Sequence, residues 1–542
     1  MSFEPTPEQE AIFAQLQSKT NPVVIINAGP GCGKTTTIVE AMRLMADDWK
    51  QKWKSEECQI IYTAFNKDII NSTKAKLIDA KINSANGIYK VNAATFNSIG
   101  GRISQGTLEN PRQRLNIVMT KNSDCLKWVQ DQGRFSISPD EWPDLKELMR
   151  MAKSQGWIPK GSGCAFGSLI DFKTLCELCD VTSEPHYEAI LTVAMLRNIR
   201  ECFNYNFDFD DQLYFSALFS SHTEAPPSWM FIDEAQDLTP VQLFLVRRMK
   251  PRNLVLVGDP MQAIYAFRGA MSDSFKRIHA QWPDATQLPL LTSFRVPQAT
   301  IDLLRERNPL LRTKSKTDGQ LLSPATYMTV REMLNLGSGT KAILCRNNAP
   351  LYRVALAMLG AKIPFNLSDQ GFGPGIVANI KRVMRGHMDS CPDGAFLSTM
   401  QTYWLSRAGD DSKIQAAVFD KISALESLIE ITHPSTVSSL CLTIISLTKK
   451  NEAATKNTPL LSTAHKAKGL EFDFVVHLDS HLIPSKFAKT PEQLTQESNI
   501  GYVINSRSKN TLVFLDSANV QIPGVSQRPA RNPAARGVPY ES

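Results

Sequence analysis

The chain of 542 residues is too long for one hydrophobic core, so two or more domains are expected. Its 42% hydrophobic and 21% charged residues are the balance of a globular protein, and a net charge of +7 permits a polyanionic partner without requiring one. No apolar run approaches the roughly 20 residues that span a bilayer, and the acidic start "MSFEPTPEQE" lacks a signal-peptide core. An intracellular, cytoplasmic protein with no membrane partner is therefore expected.

Apolar runs ending in polar, glycine-bearing turns recur along the chain. "PVVIINAG", "QIIYTAF", "WMFIDEAQD" and "NLVLVGDP" come before about residue 278, and "KAILCRNN", "FDFVVHLD" and "NTLVFLDS" after about residue 285. Short buried strands between helical stretches imply an α/β fold with parallel sheets. Residues 101–210 and 386–452 are helix-compatible without a strand series and read as insertions into two α/β cores. The division is then 1–100 with 211–280 for the first core, and 281–385 with 453–515 for the second. The Pro/Arg/Ala-rich end, 516–542, has little to bury and is expected to be disordered. It is either a docking segment for a protein partner or nucleic acid, or a solubilising end. Ten scattered cysteines do not make a disulfide scaffold. Cys164, Cys176, Cys179 and Cys202 with His186 lack a second tight ligand pair for zinc, and Cys176 and Cys179 fall on the apolar helical spacing of "LIDFKTLCELCD". They are expected to face a core.

The strand Val23 to Asn27 runs into Ala28-Gly29-Pro30-Gly31-Cys32-Gly33-Lys34-Thr35, followed by a helix-compatible stretch. In that context a glycine-bearing turn aims backbone N–H groups and a helix N-terminus at phosphate oxygens. Lys34 is placed to reach the β- and γ-phosphates of ATP, and the Thr35 hydroxyl to ligate Mg²⁺. Ala28 replaces the usual opening glycine, which a small side chain at a strand exit can do. "WMFIDEAQD" ends a second strand in Asp233 and Glu234. An aspartate there can hold Mg²⁺ and the next carboxylate can deprotonate the attacking water. An accidental glycine-rich turn and a solvated acidic loop are the bland alternatives. Their combination in one α/β unit argues against both.

"AGPGCGKT", "FIDEAQD", "LVGDPMQAIYAFRGA", "SFRVP", "STAHKAKGLEF" and "YVINSRSK", in this order, resemble the motif series of UvrD/Rep/PcrA-type superfamily 1 DNA helicases. "FDFDDQLYFSALF", ahead of the acidic motif, also matches. The resemblance implies two RecA-like P-loop domains, each carrying a mainly helical insertion, with the second insertion much shorter here than in larger members. It implies that Gln9 reads the adenine edge, Phe294 stacks on adenine and Glu471 binds the ribose, with Thr36 where some relatives carry an arginine. Arg295 and Arg507 resemble arginine fingers donated by the second domain, and Gln262 the residue that links the γ-phosphate to the nucleic-acid face. Singly, Gln9 could cap a helix, Phe294 could be core and either arginine could pair with a surface carboxylate.

For nucleic acid the resemblance points to Phe65, Asn66 and Lys67 of "YTAFNKDII", and to Thr95 and Ser98 of "TFNSIG", where Asn97 replaces a commoner histidine. Phe267 and Arg268 of "IYAFRGA" and His465 and Lys468 of "AHKAKGLEF" complete the set. Aromatics stacking on any base and cations on phosphates give salt-sensitive binding that is largely indifferent to sequence. The expected activity is an ATP-dependent 3′ to 5′ DNA helicase acting on single strands and single-strand/duplex junctions. A translocase that strips proteins without efficient unwinding, and a DNA- or RNA-binding ATP switch, are the alternatives.

Overall fold

The structure, a computed structural model, describes residues 4–522 except 19, 53–57, 65–66, 80–88, 111, 140, 180, 182, 222–224, 266–273, 369–371, 407–411, 449–454 and 456. The chain divides into two compact units, the first taking in the described residues to Arg295 with Asn308–Lys314 and Ser412, the second the described residues of Val296–Arg307, Ser315–Ser406 and from Lys413 on.

In the first unit, α1 (Pro7–Ser18), β1 (Val23–Ala28), α2 (Lys34–Lys52), β2 (Cys58–Thr63), α3 (Lys67–Asp79), β3 (Tyr89–Ala93) and α4 (Phe96–Thr107) lead into the first insertion. There α5 (Lys121–Asp131), α6 (Glu141–Gln155), α7 (Phe172–Cys179) and α8 (Pro185–Phe203) lie between two short paired strands, β4 (Asn116–Ile117) and β5 (Asn206–Phe207). The chain returns through α9 (Phe209–Leu218), β6 (Trp229–Ile232), α10 (Pro240–Met249), β7 (Leu254–Gly258), α11 (Ser274–Gln281) and β8 (Thr286–Leu290). The sheet is parallel throughout, in the order β3-β2-β6-β7-β1-β8. Two-residue alternation sorts its side chains. Val24, Ile26, Phe231, Val255 and Val257 pack with α1 and α2 on one face. Ile25, Ile61, Met230, Ile232 and Leu256 pack with the insertion on the other. Cys176 and Cys179 lie buried in that second core, on the face their spacing indicated.

Three boundaries differ from the sequence reading. Residues 281–290 were expected in the second domain, but β8 pairs with β1 and closes the first sheet. Its alternating exposure and Pro289 belong to an edge strand, where a missing N–H costs little. Residues 516–522, expected within a disordered end, are held in the fold. Ser517 donates to Asp479 through its N–H (2.6 Å) and its hydroxyl (2.7 Å). Val520–Gln521 then pair with Met328–Thr329. Residues 523–542 lie outside the described residues. The second helical block starts earlier than 386, as given next.

After the short parallel pair β9 (Thr292–Ser293) and β10 (Arg312–Thr313) in the first unit, α12 (Gln298–Leu304) opens the second. It continues with β11 (Gln320–Leu322), β12 (Met328–Thr329), α13 (Val330–Asn335), β13 (Lys341–Cys345), α14 (Ala349–Gly360) and β14 (Asn366–Leu367). The helical block α15 (Phe372–Val383), α16 (Gly394–Leu405), α17 (Ser412–Thr432) and α18 (Val437–Thr448) follows, with α15 packed on α16 and α18. Then come β15 (Leu460–Thr463), α19 (Ala464–Ala467), β16 (Phe472–Leu478), α20 (Pro491–Asn505), β17 (Ser508–Leu515) and β18 (Val520–Gln521). The second six-stranded parallel sheet runs β11-β17-β16-β13-β15-β14. Among the described residues no single helix is long and apolar enough to cross a membrane.

A buried ionic cluster pins the first insertion. Lys153 on α6 meets Asp208 (2.5 Å) and Asp211 (2.9 Å), and Lys121 on α5 meets Asp211 (2.6 Å). Asp208 also closes a reciprocal cap with Asp211 at the start of α9. Replacing Lys153 by Met leaves two carboxylates buried together, so Lys153→Met should cost about 3–5 kcal/mol. Urea unfolding checks this, and a midpoint unchanged from wild type would discount the cluster as a support.

Candidate active site

Parallel strands deliver their following loops to one edge, and ligands of open α/β sheets bind there. Three adjacent strands, β6, β7 and β1, bring Asp233, Asp259 and the loop 28–35 to that edge. Ala28 ends β1 buried, and Gly29 donates to the Leu290 carbonyl (2.9 Å). Gly31 has φ +67, which favours glycine, and a Cβ there would lie 2.6 Å from the Cβ of Arg295. The Pro30 carbonyl accepts from the Ser293 hydroxyl (2.8 Å), and the Cys32 thiol donates to the Gly29 carbonyl (2.9 Å). Burial pushes that thiol up to about 12, which makes Cys32 a packing group and not a nucleophile.

Lys34 begins α2 and stands 3.5 Å from a Glu234 carboxylate oxygen. Burial opposes its charge, but Glu234, Cys32, Asp259 and Asp233 outweigh burial and hold its pKa above the ordinary lysine value. Asp233 accepts from the hydroxyls of Thr35 (3.2 Å) and Tyr62 (3.0 Å) and from the Glu234 N–H (2.9 Å). Burial first, and then the neighbouring Glu234, raise its pKa to about 6. Burial likewise raises that of Asp259. Glu234 itself is held in the left-handed region at φ 55, a strained conformation for a residue with a side chain. A hydroxyl and an aspartate within hydrogen-bond reach beside a phosphate loop are the oxygen donors a hard divalent cation takes, so Thr35 and Asp233 fit Mg²⁺.

Gln262 is buried and donates to Asp259 (2.7 Å). Three parts of the site escaped sequence reasoning. Tyr62 and Thr73 form a hydroxyl chain to Asp233 (Thr73 to Tyr62, 3.1 Å). Gln236 ties Glu234 to β7 by donating to its carboxylate and accepting from the Asp259 N–H. Asp259 carried a readable signal, since it ends an apolar strand as Asp233 does. Tyr62, inside an apolar run, carried none.

The base-side residues converge on Gly33. A Cβ there would lie 3.8 Å from the Phe294 ring and 3.9 Å from Gln9 Nε2. Phe294 is 46% exposed, with its ring open to a stacking partner. Gln9 does what its bland alternative foresaw, capping α1 through Thr6 (2.9 Å), while its amide donates to Thr37 (2.8 Å). Thr36 is exposed beside it. Arg295 was expected from the second domain. It instead ends the first unit, because the Phe294 N–H and Ser293 hydroxyl bond to loop carbonyls and carry Arg295 with them.

In the second unit Arg507 is 2% exposed and donates to the carbonyls of Val503 (2.9 Å) and Leu470 (3.2 Å) and to the Ser506 hydroxyl (2.9 Å). Glu471, beside it at the start of β16, is half-exposed and 3.9 Å from Lys509. Of the nucleic-acid residues, Phe65, Asn66, Phe267 and Arg268 lie outside the described residues. Lys67 is exposed at the start of α3. Thr95 caps α4 by accepting from Ser98 N–H, and Asn97 donates to the Phe209 carbonyl (2.6 Å). Since β2 and β3 are parallel neighbours, Lys67, Thr95 and Ser98 share the edge that carries the phosphate loop. His465 lies in α19 and Lys468 caps its C-terminal end, after β15 of the second sheet.

Residues 6–283 match the family model of the UvrD/REP helicase N-terminal domain, and residues 399–518 that of the UvrD-like helicase C-terminal domain. The chain is similar to an F-box DNA helicase protein 1 of Schizosaccharomyces pombe, 27% identical over 53% of this chain and 34% of that protein. It is similar to a probable DNA helicase II homolog of Rickettsia conorii, 25% identical over 58% of this chain and 46% of that one. It also resembles the ATP-dependent DNA helicase SRS2 of Saccharomyces cerevisiae, 23% identical over 63% and 32%. The matched stretch spans a third to a half of these relatives.

The electrostatics give a testable sign. The folded protein keeps a proton on Asp233 up to about pH 6, whereas the unfolded chain releases it near 3.8. Stability from this group is therefore full below pH 4 and lost as pH rises through about 6. Glu234→Gln removes the second cause of the shift, so wild type should lose about 1 kcal/mol more than the variant between those limits. Urea unfolding in steps across that range tests it; parallel curves would refute the coupling.

Proposed function

This chain belongs to the UvrD/Rep helicase family, and on that premise we propose that it is an ATP-driven motor that moves 3′ to 5′ along single-stranded DNA and unwinds duplex ahead of it. The observation that carries this reading is the convergence of Lys34, Thr35, Asp233 and Glu234 at the exit of β1. Phosphate oxygens of ATP replace Glu234 as the partner of Lys34. Glu234 is thereby released to take a proton from water as that water's oxygen bonds to the γ-phosphorus and the β–γ bridging oxygen leaves with ADP. Thr35 and Asp233 would hold Mg²⁺, which would supply charge neutralisation on the phosphates. Phe294 stacks on the base with Gln9 at its edge, Glu471 binds the ribose, and Arg295 meets charge developing on the γ-phosphate. Arg507 is proposed as a second such cation, which it becomes by leaving the Leu470 and Val503 carbonyls.

Gln262, bonded to Asp259 beside this cluster, is the proposed link to the DNA face formed by Phe65, Asn66, Lys67, Thr95, Ser98, Phe267, Arg268, His465 and Lys468. A second reading, a translocase that displaces bound proteins without efficient unwinding, is favoured by the compactness of the helical block α15–α18. Residues 523–542 remain a candidate docking segment.

Lys34→Ala should abolish ATP hydrolysis. Glu234→Gln should bind ATP yet lose turnover, and normal turnover in that variant would refute its role as base. ATPase rates with and without single-stranded DNA test the coupling. Strand displacement on 3′- and 5′-tailed duplexes tests direction, and removal of a protein block from the same DNA separates the two readings.

A further inference from the structure

We propose that Phe419, Phe487 and Lys486 form an additional base-stacking platform for single-stranded DNA on the second unit. The proposal rests on the motor reading above and adds a contact that none of its motif residues supplies.

Phe419, on α17, and Phe487, in the segment between β16 and α20, stack with ring centroids 5.4 Å apart and planes 28° from parallel. Lys486 Nζ lies 4.8 Å from the first ring centroid and 5.1 Å from the second. Both rings are half-buried and Lys486 is exposed, whereas the neighbouring Trp404 is sealed into the core at 5% exposure. Among the described residues no carboxylate pairs with Lys486, and the segment 481–490, "HLIPSKFAKT", carries Lys486 and Lys489 but no acid.

Two latches mount the rings on the end of β13. Asp420, next to Phe419, accepts from the N–H groups of Asn348 (3.0 Å) and Ala349 (3.1 Å) at the start of α14. Glu497, on α20, accepts from Arg346 (2.8 Å) and from the Ser485 N–H (3.0 Å), two residues before Phe487. Arg346 to Ala349 thus hold both rings from one short turn, and the carboxylates that do so point into the protein. The platform stands at the C-terminal edge of the second sheet, the edge to which β15 delivers His465. Two fixed, partly exposed rings with an exposed cation over them are the chemistry that takes a base and its phosphate, whatever the base.

The test uses the full chain and two labelled strands of equal length, oligo-dT and an abasic strand, with binding followed by anisotropy at about 50 and 200 mM salt. Phe487→Leu, which keeps apolar packing, should weaken oligo-dT binding roughly five- to tenfold and abasic binding little. Lys486→Gln should weaken both strands and reduce the salt slope by about one. Phe419→Leu serves as a second ring variant should Phe487→Leu lower the melting temperature. If wild type binds and the variants bind both strands as it does, the platform is refuted and the motor reading stands. An equal loss on both strands for the ring variants refutes stacking. If wild type binds neither strand, both proposals fall.

Discussion

Lys34, with only 12% of its side chain exposed, stands among Glu234, Asp233 and Asp259, and this one cation with its three carboxylates sets the demands on the first unit. Each charge would be costly to bury alone, and each is tolerable because the others are there. The arrangement needs strands β6, β7 and β1 side by side and parallel, since only then do their exits present an acid, an acid and the phosphate loop together. It also needs Glu234 in a left-handed conformation, with Gln236 bracing it against β7.

Much of this was legible because the chemistry sits where apolar runs stop. "VVIINAG" and "WMFIDE" announce both the strand and the residue it delivers, so Lys34, Thr35, Asp233 and Glu234 could be named as one cluster, which the structure brings together. Asp259 sent the same signal and went unassigned. Tyr62 and Thr73 could not be read, because a hydroxyl on a buried strand looks like core until its neighbour across the sheet is known. Parallel pairing is long-range, and the same blindness hid β8, whose Pro289 and alternating exposure resemble a linker. Arg295 was assigned to the wrong unit for a related reason. Its place follows from the Ser293 and Phe294 bonds to the loop carbonyls of Pro30 and Gly31, which no local pattern reports.

The first insertion is less separate than a strand-poor segment suggests. Because β-strand side chains alternate, one whole face of the sheet (Ile25, Ile61, Met230, Ile232, Leu256) has the insertion as its covering layer. The two therefore share one core. Motion of the insertion as a free body would uncover that face.

Asp211 and Asp233 show how to separate supports from chemistry. Both are buried and multiply hydrogen-bonded, and burial pushes each carboxyl upward. At Asp211, Lys153 and Lys121 outweigh burial, and its pKa falls below the ordinary value. At Asp233 the direct donors are the neutral hydroxyls of Thr35 and Tyr62 and a backbone N–H, with Glu234 adding a like charge, and the pKa rises to about 6. The first carboxylate has its cations built in and holds three helices together. The second has neutral direct donors and another acid beside it, and Lys34 opposes the rise without cancelling it. Asp420, which accepts from the N–H groups of Asn348 and Ala349, and Glu497, which accepts from Arg346 and the Ser485 N–H, likewise have their partners built in and are fixtures. The exposed Lys486 they help to position is the group left facing outward.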